Sequence, residues 1–134
     1  MRPNAIKHII WDWNGTLVDD AQLCVDLMNR IRAKRALPSI SLESYRGLFD
    51  FPVREYYRRT GFDLKKDSYE SLSNEFISAY IASRKNLPLH VGTLDALNFF
   101  KQRKVPQCIL SATQSDTLKQ TLKEHGIENY FNTV

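Results

Sequence analysis

A chain of 134 residues accommodates, at ~100 to 200 residues per domain, one domain or one domain carrying a small insertion, and excludes a large multidomain machine. With 43% hydrophobic and 25% charged residues it has enough apolar surface to bury a core, which excludes wholesale disorder. The net charge of +4 is spread evenly: residues 18–90 hold 12 basic and 10 acidic side chains and the remainder 7 and 5, so each part carries +2. No basic face is built from one segment, and nucleic acid is not an expected partner.

No apolar run approaches the ~20 residues that span a bilayer, and Met1-Arg2-Pro3-Asn4 leads into a strand-like segment rather than a signal peptide. The expectation is a cytoplasmic chain without a membrane partner. Cys24 and Cys108 lie far apart with no CxxC or Cys/His spacing, so they read as buried free thiols rather than a disulfide or zinc pair.

Residues 5–11, rich in β-branched and aromatic side chains and followed by Asn14-Gly15, read as a buried strand. Asp19 or Asp20 then caps a helix with Cys24, Leu27, Met28 and Ile31 on one face. Its basic end, Arg30, Arg32, Lys34 and Arg35, reads as solvated cations at the carbonyl end of the helix dipole. Ser41 starts a short helix, Pro52 stands in the first turn of another and Gly61 ends it. From 68 to 85, Tyr69, Leu72, Phe76 and Tyr80, joined by Ile77 and Ile81, predict a helix with a wide apolar stripe.

Residues 86–92 read as a linker, after which Thr93 caps a helix that buries Leu94, Leu97 and Phe100. Val105 to Leu110 reads as a second strand, Ser115 as the cap of a helix carrying Leu118 and Leu122, and Tyr130 to Val134 as the start of a third strand. Strand, helix, strand, helix, strand is the grammar of a parallel sheet, and the helical block between the first two strands is an insertion. The fold class is therefore α/β, a partial Rossmann-like parallel sheet with an inserted α-helical subdomain. The boundaries are 1–19 and 87–134 for the α/β part and 20–86 for the helices.

In open parallel sheets ligands bind beyond the carboxyl ends of the strands, so polar residues there are the candidates for function. The first strand ends in Asp12-Trp13-Asn14-Gly15-Thr16, a carboxylate followed by a glycine that permits a tight turn. The second ends in Ser111-Ala112-Thr113-Gln114, a hydroxyl ahead of a helix start whose outward N–H groups suit a phosphate. An EF-hand reading of the first motif fails, because Gly15 is fourth from Asp12 and a calcium loop needs glycine at its sixth position. His8, His90 and His125 are isolated and read as structural, as do Tyr56, Tyr57, Phe76 and Tyr80.

These two motifs resemble the haloacid dehalogenase superfamily of phosphatases and phosphotransferases. His8-Ile9-Ile10-Trp11-Asp12-Trp13-Asn14-Gly15-Thr16 is similar to its first motif, and Cys108-Ile109-Leu110-Ser111 to its second. The resemblance covers essentially the whole chain, is nearest to the phosphoglycolate-phosphatase-like branch, and makes the helical block a cap. It implies that Asp12 is the nucleophile of an aspartyl-phosphate route. It implies further that Mg²⁺ is held by the Asp12 carboxylate and the Asn14 backbone carbonyl, and that Ser111, Ala112, Gly15 and Thr16 bind the phosphoryl group of a small phosphorylated substrate.

The sequence departs from that pattern in two places. Asn14 stands where the family's phosphatases carry the aspartate that protonates the leaving group and activates water, which an amide cannot do at neutral pH. Asp19 and Asp20 read as helix caps rather than as replacements for that acid. The family also continues past its third strand to a lysine and further acidic residues, whereas this chain stops at Val134, as a truncated form does. The sequence thus points to a Mg²⁺-dependent phosphatase, weak or inactive as this 134-residue chain, with a non-catalytic binding or interaction protein of the same fold as the rival.

Overall fold

A computed structural model describes residues 5–50 and 52–134, so the reading of residues 1–4 as a non-signal leader lies outside the described residues. The elements run β1 (Ile9–Trp11), α1 (Ala21–Ala33), α2 (Leu42–Leu48), α3 (Val53–Arg59), α4 (Tyr69–Ser83), a 3₁₀ turn (Arg84–Asn86), α5 (Thr93–Gln102), β2 (Gln107–Ile109), α6 (Ser115–Glu124) and a 3₁₀ turn (Glu128–Tyr130). They form two compact units. One is built from residues up to Asp20 together with Lys85–Val134, and the other is Ala21–Arg84. No helix among the described residues is long and apolar enough to cross a membrane.

In the α/β unit, β1 and β2 pair in parallel, with Trp11 opposite Ile109. A parallel bridge joins Cys108 to Thr133 on the other side of β2, held by Asn132 N to Gln107 O (2.8 Å) and Ile109 N to Thr133 O (3.1 Å). The third strand therefore begins later than Tyr130, which lies in the 3₁₀ turn with its hydroxyl on Asn98 Oδ1. Trp13, Leu17, Val18, Leu97, Ile109, Leu118, Leu122 and Ile127 form the core. The first strand is not buried as its composition implied: Ile10 is 64% exposed and Leu110, beyond β2, is 73% exposed. Apolar composition selects a strand, but burial needs a partner layer on each face.

Two caps also differ from expectation. The α5 cap is Gly92 at φ 88°, because the buried Thr93 hydroxyl donates instead to Leu17 O (3.0 Å) and ties α5 to the turn after β1. Leu94 on the same helix is exposed. The α6 cap is Gln114, without a side-chain cap bond, since the turn closed by Thr113 N on Ser111 Oγ (3.1 Å) occupies the residues before it.

In the helical unit, Met28, Ile31, Tyr56, Tyr57, Phe62 and Leu72 form a separate core. Ser41 and Ser68 cap α2 and α4 by accepting from Ser44 N and Ser71 N. Pro52 sits at the cap of α3, one place before its first turn, and Gly61 follows that helix at φ 97°, a left-handed turn that glycine adopts without strain. Ile77 and Ile81 are exposed, so the buried stripe of α4 is narrower than its apolar pattern.

The basic end of α1 is not simply solvated. Arg32 is buried and donates to Pro38 O (2.7 Å) and Thr60 O (2.6 Å). Arg35 pairs with Asp67 (2.8 Å) and Glu75 (3.0 Å), and Lys34 with Glu75 (2.6 Å). Three cations at one helix end thereby clamp the loop after α1, the end of α3 and α4 around one core.

Candidate functional site

Parallel pairing of β1 with β2 sets the two strand-end motifs side by side, and Leu110 N donates to Trp11 O at 2.9 Å just before both chains leave the sheet. Asp12 follows β1 at once and is exposed. Its Oδ2 accepts from the Thr16 hydroxyl at 2.9 Å. That bond is possible because residues 13–18 fold into a tight turn: Thr16, Leu17 and Val18 all donate to Trp13 O, and Gly15, at φ 71°, donates to Val18 O. The left-handed conformation at position 15 is the one a glycine takes without a Cβ penalty.

Asn14 reaches both ways. Its Nδ2 donates to Asp20 Oδ2 (2.8 Å), and its Oδ1 accepts from the Thr113 hydroxyl (2.9 Å), a residue 99 positions later. Thr113 in turn donates its backbone N–H to Ser111 Oγ (3.1 Å). A continuous path of hydrogen bonds therefore joins Asp20, Asn14, Thr113 and Ser111 across the two strand ends. Ser111 is half-buried and Ala112 exposed, directly ahead of the first turn of α6.

All six candidates, Asp12, Asn14, Gly15, Thr16, Ser111 and Ala112, thus lie on the two turns at the carboxyl end of the sheet. Reading the sequence missed Thr113 and Asp20 as parts of this path. Their signals were a hydroxyl two places after Ser111 and a carboxylate six places after Asn14, but only folding shows that both meet the same amide. The histidines lie off this path: His8 Nε2 is 3.2 Å from Cys108 Sγ, His90 Nε2 is 3.8 Å from Asp19 Oδ1, and His125 packs edge-on to Trp13. Cys24 is buried as expected, whereas Cys108 is only half-buried.

Among the described residues no group of three or more His, Cys, Asp and Glu side chains could hold a metal ion. What the turn does offer is a carboxylate at Asp12 and a backbone carbonyl at Asn14, two hard oxygen donors. That set suits Mg²⁺, which keeps several waters and takes few protein ligands. It does not suit zinc, which prefers sulfur and imidazole.

Comparison with known proteins places these motifs in a family context. The family model described as haloacid dehalogenase-like hydrolase matches residues 9–134. The chain is similar in structure to protein tyrosine kinase A of Mycobacterium tuberculosis, at TM-score 0.81 and 21% identity over 97% of this chain and 59% of that one. It is similar to a haloacid dehalogenase-like family hydrolase from Streptococcus pneumoniae, at TM-score 0.78 and 22% identity over 96% and 60%. A protein described as a predicted phosphoglycolate phosphatase from Haemophilus somnus matches at TM-score 0.76 and 16% identity over 98% and 62%. At these identities the likeness shows the fold alone, and the chain spans about three-fifths of the length of each of these structures. No curated protein matches the sequence.

Proposed function

Because the chain belongs to the haloacid dehalogenase-like hydrolases, we propose that it handles a phosphoryl group at the two strand ends, as the core and cap of a Mg²⁺-dependent phosphoric monoester hydrolase acting on a small phosphorylated metabolite. The observation that carries this reading is the meeting of the two motifs through Thr113 and Asn14 at 2.9 Å. It supports the reading because the turn that carries Asp12 then lies beside the hydroxyl and N–H groups that would hold phosphate.

In this reading Asp12 attacks phosphorus, the bond from phosphorus to the leaving-group oxygen breaks as the aspartyl-phosphate forms, and water then cleaves that intermediate to free phosphate and the Asp12 carboxylate. The Thr16 hydroxyl holds Oδ2, leaving Oδ1 as the attacking oxygen. Ser111 accepts from Thr113 N, which leaves its own hydroxyl proton to donate to a phosphoryl oxygen, beside the N–H of Ala112. Gly15 and Thr16 would complete the cradle from the first turn. Mg²⁺, held by the Asp12 carboxylate and the Asn14 carbonyl, would supply neutralisation of phosphate charge. Residues 20–86 would act as the cap that selects the substrate and excludes water, with residues 1–19 and 87–134 as the core.

Asn14 limits the chemistry. An amide neither protonates a leaving group nor activates water, a role worth ~10² to 10⁴-fold in rate. The 134-residue chain should therefore act slowly, and best on esters whose leaving group needs no proton. The same residue favours the second reading, a binding protein of this fold that engages phosphate without turnover. Hydrolysis of an aryl phosphate by the purified chain with Mg²⁺, against an Asp12→Asn variant, tests the proposal. Slow release that Asp12→Asn abolishes is expected, and release indifferent to Asp12 would overturn it.

A further inference from the structure

One carboxylate of the first turn is almost fully withdrawn from solvent. Asp20 is 3% exposed, sits immediately before α1, and takes the Asn14 amide nitrogen on its Oδ2 at 2.8 Å. The other end of that amide meets the Thr113 hydroxyl at 2.9 Å. These two partners are not equivalent. A hydroxyl can donate or accept, so Thr113 tolerates either face of the amide, whereas an ionised carboxylate only accepts. The Asp20 carboxylate therefore favours the sense in which the nitrogen of Asn14 faces Asp20 and its oxygen faces Thr113.

We propose that Asp20 is a positioning residue, which fixes the sense of the Asn14 amide and thereby clasps the turn after β1 to the turn after β2. This proposal deepens the phosphoryl-site reading and rests on it for its catalytic meaning, though not for the clasp itself. The clasp also explains the pairing of residue types. With asparagine at 14 and aspartate at 20, one donates and the other accepts. An aspartate at 14 beside the present Asp20 would set two acceptor carboxylates in contact, so restoring an acid at 14 by that change alone would break the clasp. Exchanging the two residues, Asn14→Asp with Asp20→Asn, would return a donor opposite an acceptor while moving the carboxylate to position 14. Thr113 can still donate to the new carboxylate, so the path to Ser111 survives the exchange.

The experiment compares the unmodified chain with Asn14→Asp, Asp20→Asn, the exchanged double variant and Asp20→Ala at neutral pH. Asn14→Asp and Asp20→Ala should each lower the thermal midpoint by about 3 to 6 °C, the loss of one charge-assisted hydrogen bond in a domain of this size, and Asp20→Asn, whose amide oxygen can still accept from Asn14, by less. The double variant should recover at least half of the summed loss. By nuclear magnetic resonance, Asp20→Ala should shift the backbone amide signals of Ser111 and Thr113, whereas a purely local role at the start of α1 would confine the shifts to neighbours of Asp20. Where Asp20→Ala does not fold, Asp20→Leu, which likewise has no acceptor, supplies the same readout. Strictly additive losses in the double variant, or unmoved Ser111 and Thr113 signals in a folded Asp20→Ala or Asp20→Leu variant, would overturn the assignment. Hydrolysis of an aryl phosphate separates the two readings. Turnover about tenfold higher in the double variant than in Asn14→Asp supports both. Coupled stabilities with no turnover in any variant support the clasp and count against the phosphatase.

Discussion

The helical unit closes its core from its own residues, whereas the α/β unit leaves one face of its sheet in solvent. In residues 21–84, the ring of Tyr57 lies within 6 Å of those of Tyr56, Phe62 and Tyr69, and the Arg32 and Arg35 contacts bind the loop and helix ends around them. In the other unit Leu97 and Leu122 are buried on one side of β1 and β2, while Ile10 and Leu110 stand exposed. A helix has a single stripe to cover, and its neighbours in a bundle can do so. A sheet has two faces and two edges, and among the described residues β1 has a ladder partner, β2, on one edge.

The comparison predicts separate failure. Leu72→Ala and Leu97→Ala each remove a fully buried leucine, at a cost of about 2 to 5 kcal/mol. Amide hydrogen exchange should show Leu72→Ala exposing only residues 21–84 and Leu97→Ala exposing only the α/β unit. Simultaneous loss of protection in both units from either change would mean that they fold as one.

Titration should sharpen the same contrast, because the resolved carboxylate and phenol shifts fall in the helical unit. Asp67 is held below the ordinary carboxylate range chiefly by the hydrogen bond from Arg35, and Glu75 chiefly by that from Lys34. The unfolded chain binds their protons first as pH falls, so this stability is full above the ordinary carboxylate range and is lost as pH drops through it. Burial pushes Tyr56 and Tyr57 up to about 12. Their unfolded phenols ionise near pH ~10, so the stability they carry is full below that value and lost as pH climbs from there towards 12. Melting of the helical unit should weaken at both extremes, and a midpoint unchanged from pH 10 to 12 would contradict the alkaline half.

The smallest effect belongs to the open face. Leu110→Thr and Ile10→Thr should change stability by no more than about 0.5 kcal/mol while raising the concentration at which the chain stays monodisperse. A loss comparable to that of Leu97→Ala would show that this face is covered.

How far the sequence discloses this molecule depends on the range of the interaction. The faces of α1 and α6 follow from spacing, because Cys24, Leu27, Met28 and Ile31, or Leu118 and Leu122, are neighbours on one helix and are buried. The strand-end positions of Asp12 and Ser111 follow from a short apolar run meeting a turn. Arg32 was misread because charge patterning sees the dipole of its own helix but not the carbonyl of Thr60, 28 residues on. Thr93 was misread as a cap because its true acceptor, Leu17 O, is 76 residues away. The roles of Thr113 and Asp20 were hidden for the same reason. The exposure of Ile10 was hidden because composition records what a strand is made of and not what lies over it.

The central claim is that phosphoryl chemistry passes through Asp12, and the presence of Asn14 makes that claim directly measurable. An activated donor such as acetyl phosphate or an aryl phosphate needs no acid to form the acyl-phosphate. Its breakdown by water, however, lacks the base that position 14 would otherwise provide. The intermediate should therefore accumulate. Mass spectrometry of the chain after incubation with such a donor and Mg²⁺ should find one added phosphate, labile to hydroxylamine, mapped to Asp12 and missing from Asp12→Asn. No adduct, or an adduct on any other residue that persists in Asp12→Asn, would contradict the account.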